Sequence, residues 1–522
     1  MTRQHHTRKH SSFSFAPSRL LKTAVALLVA TGTTATGISS ASADSGDSAG
    51  LTQPDATSAA EVAADAVGLP FEMPSKATLQ GSSRKVFAHY IPSLPISLDN
   101  QPAETDYYTR NYLSPTGEGL RHVLYGGFLR DRPLARPAVS GNWKLEDMKT
   151  EVRQAISAGI DGFAIDILQL PGVGDGRLWA NTVLLTEAAA AVDPKFKIMP
   201  TPDMNSSARN GTPEQWASAL ATLSRYSSAY RLGDGRVVIS PFLAEAKTPA
   251  WWSSVLDLMS RDYGISTAFV PVFLDDQRYA ASFASISYGM GNWGARNPMS
   301  NNADVTYSTS PIGRANKVQA MGKIWMQPVS VQDSRPSAGW FEEAENTQNL
   351  RNTWRIAMSS GAEWINMATW NDYSENTQFA PSQKHGWSLL DINSYYLAQY
   401  KTGPAADHPG RGLRHPPHAE RVGRPQRADD AADAATAGSP VRDTVEAITF
   451  LKAPGTVKIT SGGTTTSCAV DAGVDTCTVP LRSGAVRAEV QRAGATVAAV
   501  ASPYSVVSLP TPRTGSTPRP AA

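Results

Sequence analysis

Between residues 85 and 402 short apolar runs alternate with stretches of helical character, and this alternation constrains the fold more than any other property of the chain. The runs are 86–90, 162–168, 196–200, 237–240, 267–273, 285–288, 324–329 and 364–367. Each has the length of a strand and is too short for a helix. Residues 143–157 place apolar side chains at helical intervals and stop at Gly159, and 178–192 is rich in Ala and Leu, which favour helix. Thr212-Pro213-Glu214-Gln215 combines a capping hydroxyl, a first-turn Pro and a Gln at the third position, ahead of a helix running towards Tyr230. Thr248-Pro249 repeats the start signal before 251–259, and 344–360 supplies a helix before the last run. Strands separated by helices pair in parallel, because the helix serves as the crossover. Eight such repeats predict a TIM-type (β/α)8 barrel over 85–402 in preference to an open doubly wound sheet.

The flanking sequence divides by composition. Arg3, Arg8, Lys9, Arg19 and Lys22 precede a short apolar run, 23–30, and a small-residue exit at Ala41-Ser42-Ala43, the pattern of an export signal covering 1–43. Residues 44–84 are dominated by Ala, Ser, Asp, Thr and Gly and are expected to form a disordered leader, with structure beginning near Lys85. Residues 403–440 carry Pro, His, Arg and Ala with almost no large apolar residue, which reads as a low-complexity linker; a local shift of reading frame in the gene is the alternative. From 441 to 509 short alternating runs of Val, Thr, Ile and Ala predict a small all-β, sandwich-like domain, followed by a disordered tail at 510–522. Cys468 and Cys477 are the two cysteines of the chain. In an exported protein they are expected to form a disulfide that supplements a small core, the alternative being two free thiols.

Several function classes are disfavoured at this level. The net charge is +2 and the basic residues are scattered, so a nucleic-acid partner is not expected. No segment reaches the roughly 20 apolar residues that a spanning helix requires, so neither is a membrane. Six of the nine His residues lie in the export signal and linker, and neither His-Glu-x-x-His nor Cys-x-x-Cys occurs, which argues against zinc. Gly-x-Ser-x-Gly occurs only at 46–50, inside the expected leader and not between a strand and a helix, so it does not read as a serine-hydrolase elbow. Gly172-Val173-Gly174-Asp175-Gly176-Arg177 has Arg where the third Gly of a dinucleotide fingerprint belongs. No cofactor is expected, and the chain is expected to act as a monomer.

In a parallel barrel, chemistry takes place where the strands end. That filter selects His89 and Tyr90; Asp166; Asp203 and Asn205; Glu245; Asp275 and Asp276; Tyr288; Gln327; and Trp370, Asn371, Asp372 and Glu375. Asp161 opens the second run and belongs to the opposite rim. Asp372 and Glu375 are three apart, so on a helical turn their Cβ atoms lie about 5–6 Å apart. Sugar hydrolysis needs two carboxyl groups, one to protonate the leaving oxygen and one to activate water or attack. Asp166 is the reserve for that pair. Aromatic faces stack on sugar rings, and of the twelve Trp residues Trp293, Trp340, Trp370 and Trp387 are the subsite candidates.

Val86-Phe87-Ala88-His89-Tyr90, Gly159-Ile160-Asp161-Gly162-Phe163-Ala164, Pro202-Asp203-Met204 and Trp370-Asn371-Asp372-Tyr373-Ser374-Glu375 together resemble glycoside hydrolase family 71, the α-1,3-glucanases or mutanases. The likeness departs at Ser374, where Gly is expected, and at Asn376, where Ser is expected. It implies a secreted endo-acting hydrolase of α-1,3-glucan that inverts the anomeric carbon. Asp372 and Glu375 would form the catalytic pair, and His89, Tyr90, Asp203, Asn205, Trp370 and Asn371 would bind the sugar. Two alternatives stand beside it: a polysaccharide-binding protein with a catalytically idle barrel, and a hydrolase of another α-linked glycan.

Overall fold

The computed structural model describes residues 71–403 and 442–506. The expected export signal, the leader up to residue 70, the linker from 404 and the tail after 506 lie outside the described residues.

The parallel strands are β1 (Lys85–Tyr90), β2 (Gly162–Ile167), β3 (Lys197–Pro202), β4 (Val237–Ile239), β5 (Thr267–Phe269), β6 (Val272–Phe273), β7 (Gly289–Asn292) and β8 (Ile324–Val329). A small antiparallel hairpin, β9 (Asp333–Arg335) with β10 (Trp340–Glu342), precedes the last parallel strand, β11 (Trp364–Met367). The helices are α1 (Lys76–Gly81), α2 (Trp143–Ser157), α3 (Arg177–Val192), α4 (Pro213–Ser224), α5 (Pro249–Tyr263), α6 (Asp276–Phe283), α7 (Pro311–Ala320), α8 (Gln348–Ser359) and α9 (Ser388–Thr402). Seven strands form one curled parallel sheet in the order β3-β2-β1-β11-β8-β7-β6, and β4 pairs with β5. Backbone hydrogen bonds run from this pair to both sheet edges: Ser240 N to Pro200 O and Phe242 N to Pro202 O, each 3.0 Å, and Val272 N to Pro241 O, 2.9 Å.

Successive side chains on a strand face opposite sides, and here the sides are unlike. Val86, Ala88, Tyr90, Phe163, Ile165 and Ile365 join the layer between sheet and helices. Phe87, Ala164, Met199, Val238, Met326 and Trp364 fill the inside of the curl. The α4 start signal is realised as a capping box, with Thr212 Oγ1 accepting from Gln215 N and the Gln215 side chain accepting from Thr212 N.

Three sequence expectations are corrected. The sixth run is not a strand at 285–288; the strand follows at Gly289–Asn292. Glycines have low strand propensity but are required there, since a Cβ on Gly291 would stand 2.6 Å from the Met326 carbonyl oxygen. The fifth run is split into β5 and β6, with Pro271, which has no N–H to donate to the ladder, in the gap. Structure also begins earlier than Lys85. Phe71 and Leu79 are buried, and Met73 and Leu79 close over Gly159, whose φ is +83°.

The C-terminal residues form two all-β sheets. β12 (Thr444–Leu451) pairs with β15 (Gly473–Pro480), and β14 (Thr464–Val470), β13 (Gly455–Ser461), β16 (Val486–Arg492) and β17 (Ala495–Ala501) form the other sheet in that order. A disulfide joins Cys468 on β14 to Cys477 on β15 and so links the sheets. β12 is covered on both faces. Val445, Ala447 and Leu451 enter the β-domain core, while Ile448 and Phe450 pack on the α/β domain, where Phe450 meets Phe71 and Tyr395 at ring distances of 5.8 and 5.1 Å. No helix among the described residues is long and apolar enough to cross a membrane.

Candidate active site

The period of two that turns Phe87 and Ala164 inward also turns His89 and Asp166 inward, two residues further towards the strand ends. His89 Nε2 lies 3.5 Å from Asp166 Oδ1. His89, Asp166 and Asp203 are all buried, and Asp166 Oδ1 is a buried oxygen that makes no hydrogen bond. Asp203 Oδ1 accepts from the backbone N–H groups of Asn205 and Ser206, which fixes its orientation. Burial drives the imidazole of His89 down to about 4, against the opposing charges of Asp203 and Asp372, so the ring is neutral at ordinary pH. Burial also raises Asp166 well above the usual carboxylate range, the Asp372 charge adding to it, and raises Asp203, with the Asp166 charge adding. The indole of Trp293 stands edge-on to His89, centroids 4.9 Å apart, and packs on Phe242 at 4.5 Å.

The second half of the site is the loop after β11. Asp372 Oδ1 accepts three hydrogen bonds, from Ser374 N at 2.9 Å, Ser374 Oγ at 2.6 Å and Glu375 N at 3.2 Å. Glu375 Oε1 is ion-paired with Arg335 Nη1 at 2.8 Å. Arg335 is delivered by the β9–β10 hairpin and held bidentate by Asp333. The hairpin also binds the loop itself, with Ser334 N donating to Glu375 O at 2.8 Å and Asn376 Nδ2 donating to Ser334 O at 2.7 Å. Glu342, opposite Asp333 on the hairpin, accepts from Arg296 N and Asn297 Nδ2 in the loop after β7. Burial raises Asp372, with the donors from Ser374 and the Arg335 charge opposing. Burial raises Glu375 to about 8, with the Asp372 charge adding and Arg335 opposing. The two carboxyl groups therefore differ. Three donors on Asp372 Oδ1 favour its anion against the burial, whereas Glu375 is raised by burial and by the Asp372 charge, with Arg335 as its cationic partner.

Thus His89, Asp166, Asp203, Trp293, Asp372 and Glu375 share one electrostatic neighbourhood, and Asn205 is exposed beside it. Other sequence-selected residues face elsewhere. Tyr90, one position beyond His89, points outward, donating to Glu151 Oε2 at 2.6 Å. Gln327 also points outward and accepts from Trp325 Nε1. Trp370 is fully buried, its Nε1 donating to Glu151 Oε1 at 3.2 Å. Asn371 holds the chain after β1, donating to Ile91 O and Leu94 O and accepting from Ile91 N. Tyr288 lies at the opposite rim, where Arg236 covers its ring and Trp364 packs on it. Asp161 is at that rim too, accepting from Lys401 Nζ and Val86 N. Glu245 accepts from two backbone amides, and Asp276 pairs with Arg314. Trp340 and Trp387 are half-buried. Sequence reading missed Arg335, Asp333 and Arg296; the only local signal is an acidic-to-basic pair two apart, just past the seventh run. Among the described residues no group of three or more His, Cys, Asp and Glu side chains is arranged to hold a metal ion.

Asp372 and Glu375, on one loop after a strand of a curled parallel sheet and unlike in their surroundings, offer the two carboxyl groups that glycosidic bond hydrolysis requires. The chain is a glycoside hydrolase. It belongs to glycosyl hydrolase family 71, whose model matches residues 138–510. Among curated proteins it is 25% identical over 416 residues to a glucan endo-1,3-alpha-glucosidase of Schizosaccharomyces pombe, covering 72% of this chain and 89% of that one. It is 24% identical over 381 residues to a mutanase of Penicillium rubens, covering 68% and 80%. Among solved structures, a GH99 endo-alpha-mannosidase of Bacteroides thetaiotaomicron is similar with a TM-score of 0.46 at 14% identity, over 60% of this chain and 97% of that one.

Proposed function

We propose that the chain is a secreted, endo-acting α-1,3-glucanase whose curled sheet is an eight-stranded (β/α)8 barrel, and that it hydrolyses its substrate with inversion. Glu375 is the general acid and Asp372 the general base. The contrast between these two carboxyl groups carries the assignment: Arg335 holds Glu375 Oε1, while three donors converge on Asp372 Oδ1. In the reaction the Glu375 proton passes to the glycosidic oxygen as the C1–O bond breaks. A water attacks C1 from the opposite face and gives its proton to Asp372, and exchange with solvent restores both groups.

Asp166, Asp203 and neutral His89 bind hydroxyl groups of the sugar at the cleavage point, with Asp166 as the reserve acid. Trp293 offers a ring to the adjoining unit. The α-1,3 bond is favoured by the activities named for the two curated relatives. The export-signal pattern at 1–43 supports action outside the cell.

The deciding experiment is release of reducing ends by purified protein from a panel of α-1,3-, α-1,4- and β-1,3-glucans and mannan, with the anomer of the first product followed by NMR. Activity confined to α-1,3-glucan with a β-anomeric product is expected. An α-anomeric product would overturn inversion, and preference for another glycan would overturn the substrate. Binding to insoluble glucan without new reducing ends would replace the enzyme with a binder.

A further inference from the structure

We infer that the C-terminal β-domain is a positioning element of the active site, in which Arg442 and Glu446 fix the hairpin that holds Arg335 against Glu375. The inference rests on the assignment of Glu375 as the acid.

Besides the apolar contacts of Ile448 and Phe450, the polar contacts of β12 and the residues just before it gather on one short segment, the five residues directly after β10. Arg442 N donates to Glu343 Oε2 at 3.0 Å, and Arg442 Nη2 pairs with Glu345 Oε2 at 2.9 Å. Thr444 Oγ1 accepts from Asn346 Nδ2 at 2.9 Å. Glu446 Oε1 accepts from both the amide and the hydroxyl of Thr347, at 3.2 and 2.5 Å, and its Oε2 lies 3.3 Å from Arg351 Nη2 on α8. Glu343 and Glu446 are both buried.

This segment needs an outside hold. Glu345 and Asn346 both have left-handed backbone, φ +53° and +59°, a conformation that costs energy for residues other than glycine. Their side chains are held by Arg442 Nη2 and Thr444 Oγ1 respectively. Immediately before the segment, Glu342 lies opposite Asp333 and fastens the hairpin to Arg296 and Asn297. On the other strand Arg335 reaches Glu375. A chain of direct contacts therefore runs from β12 through 343–347 and the hairpin to the acid. The exposed Arg442 side chain and the buried Glu446 are its outer end.

The test uses the full chain and a soluble α-1,3-linked oligosaccharide, so that adhesion to insoluble glucan plays no part. Arg442→Ala, at an exposed side chain, and the near-isosteric Thr347→Val, singly and combined, remove the side-chain contacts to Glu345 and Glu446; Glu446→Gln is the more invasive variant. Loosening Arg335 removes a positive charge from beside Glu375, which raises its carboxyl. The expected result is a basic limb of the kcat profile displaced upward by about half a pH unit or more, a kcat lowered about tenfold and a KM changed less. Arg442→Lys should restore most of both. Arg335→Ala is the reference. If it moves the basic limb while the folded Arg442→Ala/Thr347→Val protein keeps wild-type kcat and limb, the positioning role is overturned. If Arg335→Ala itself leaves the limb in place, the assignment of Glu375 fails instead. Loss confined to insoluble glucan would make the β-domain a binding module and also overturn the proposal.

Discussion

Arg335 Nη1 lies 2.8 Å from Glu375 Oε1, so the positive charge beside this carboxyl comes from a hairpin between β8 and α8 and not from the loop that carries it. This contact orients one carboxyl oxygen of Glu375.

Removing either carboxyl group should stop the reaction without unfolding the protein. Glu375→Gln and Asp372→Asn preserve shape, and each is expected to lower kcat by roughly 10²- to 10⁴-fold, the usual contribution of a positioned acid or base. Reducing-end assays beside thermal unfolding curves check this; two folded variants with near-wild-type turnover would remove the pair from the mechanism.

Activity should be bell-shaped in pH. Asp372 must be ionised and is raised by burial, so the acidic limb stands above the ordinary aspartate value. Glu375 must be protonated, which places the basic limb around 8. Because the Asp372 charge raises Glu375, the residual activity of Asp372→Asn should lose its basic limb at lower pH than the wild type. A limb that moves upward or stays in place contradicts this coupling.

Glu151 offers a test on stability alone. It is buried beneath Tyr90 and Trp370, and burial raises its carboxyl from 4.5 to about 8. Between these values the unfolded chain releases a proton that the folded one keeps, so this residue lowers stability as pH rises, by about 1 kcal/mol per pH unit, levelling off above the folded value. Glu151→Gln should therefore flatten the decline of Tm between pH 5 and about 8. Parallel curves for wild type and variant would rule the effect out.

Trp293 should matter to binding more than to turnover. It is half-buried against His89 and Phe242, with Arg296 over its ring at 5.3 Å. Trp293→Ala is expected to raise KM about tenfold on α-1,3-linked oligosaccharides, with a smaller change in kcat. An unchanged KM would make this indole ordinary packing.

The parallel strands and their helices were legible because apolar side chains recur with the period each element demands. His89, Asp166, Asp203 and the Asp372–Glu375 loop were legible as residues at strand ends. What sequence could not resolve was facing. Tyr90 and Gln327 also sit near strand ends, yet neighbouring positions on a strand point to opposite sides, and both enter the layer under the helices. Strand β7 was placed early because its inward positions are glycines, which leave no apolar signal. Arg335 was invisible for another reason. Its role depends on a hairpin that folds back over the sheet, and that hairpin is fixed by residues more distant still, such as Glu446, which meets Thr347 across 99 positions of chain.

Strand β12 belongs to two interiors at once, giving alternate residues to each. It cannot therefore be treated as the first strand of a detachable appendage. Chimeras that exchange the catalytic domain while keeping a foreign β-domain should fail unless the new partner also supplies the Glu446, Ile448 and Phe450 face.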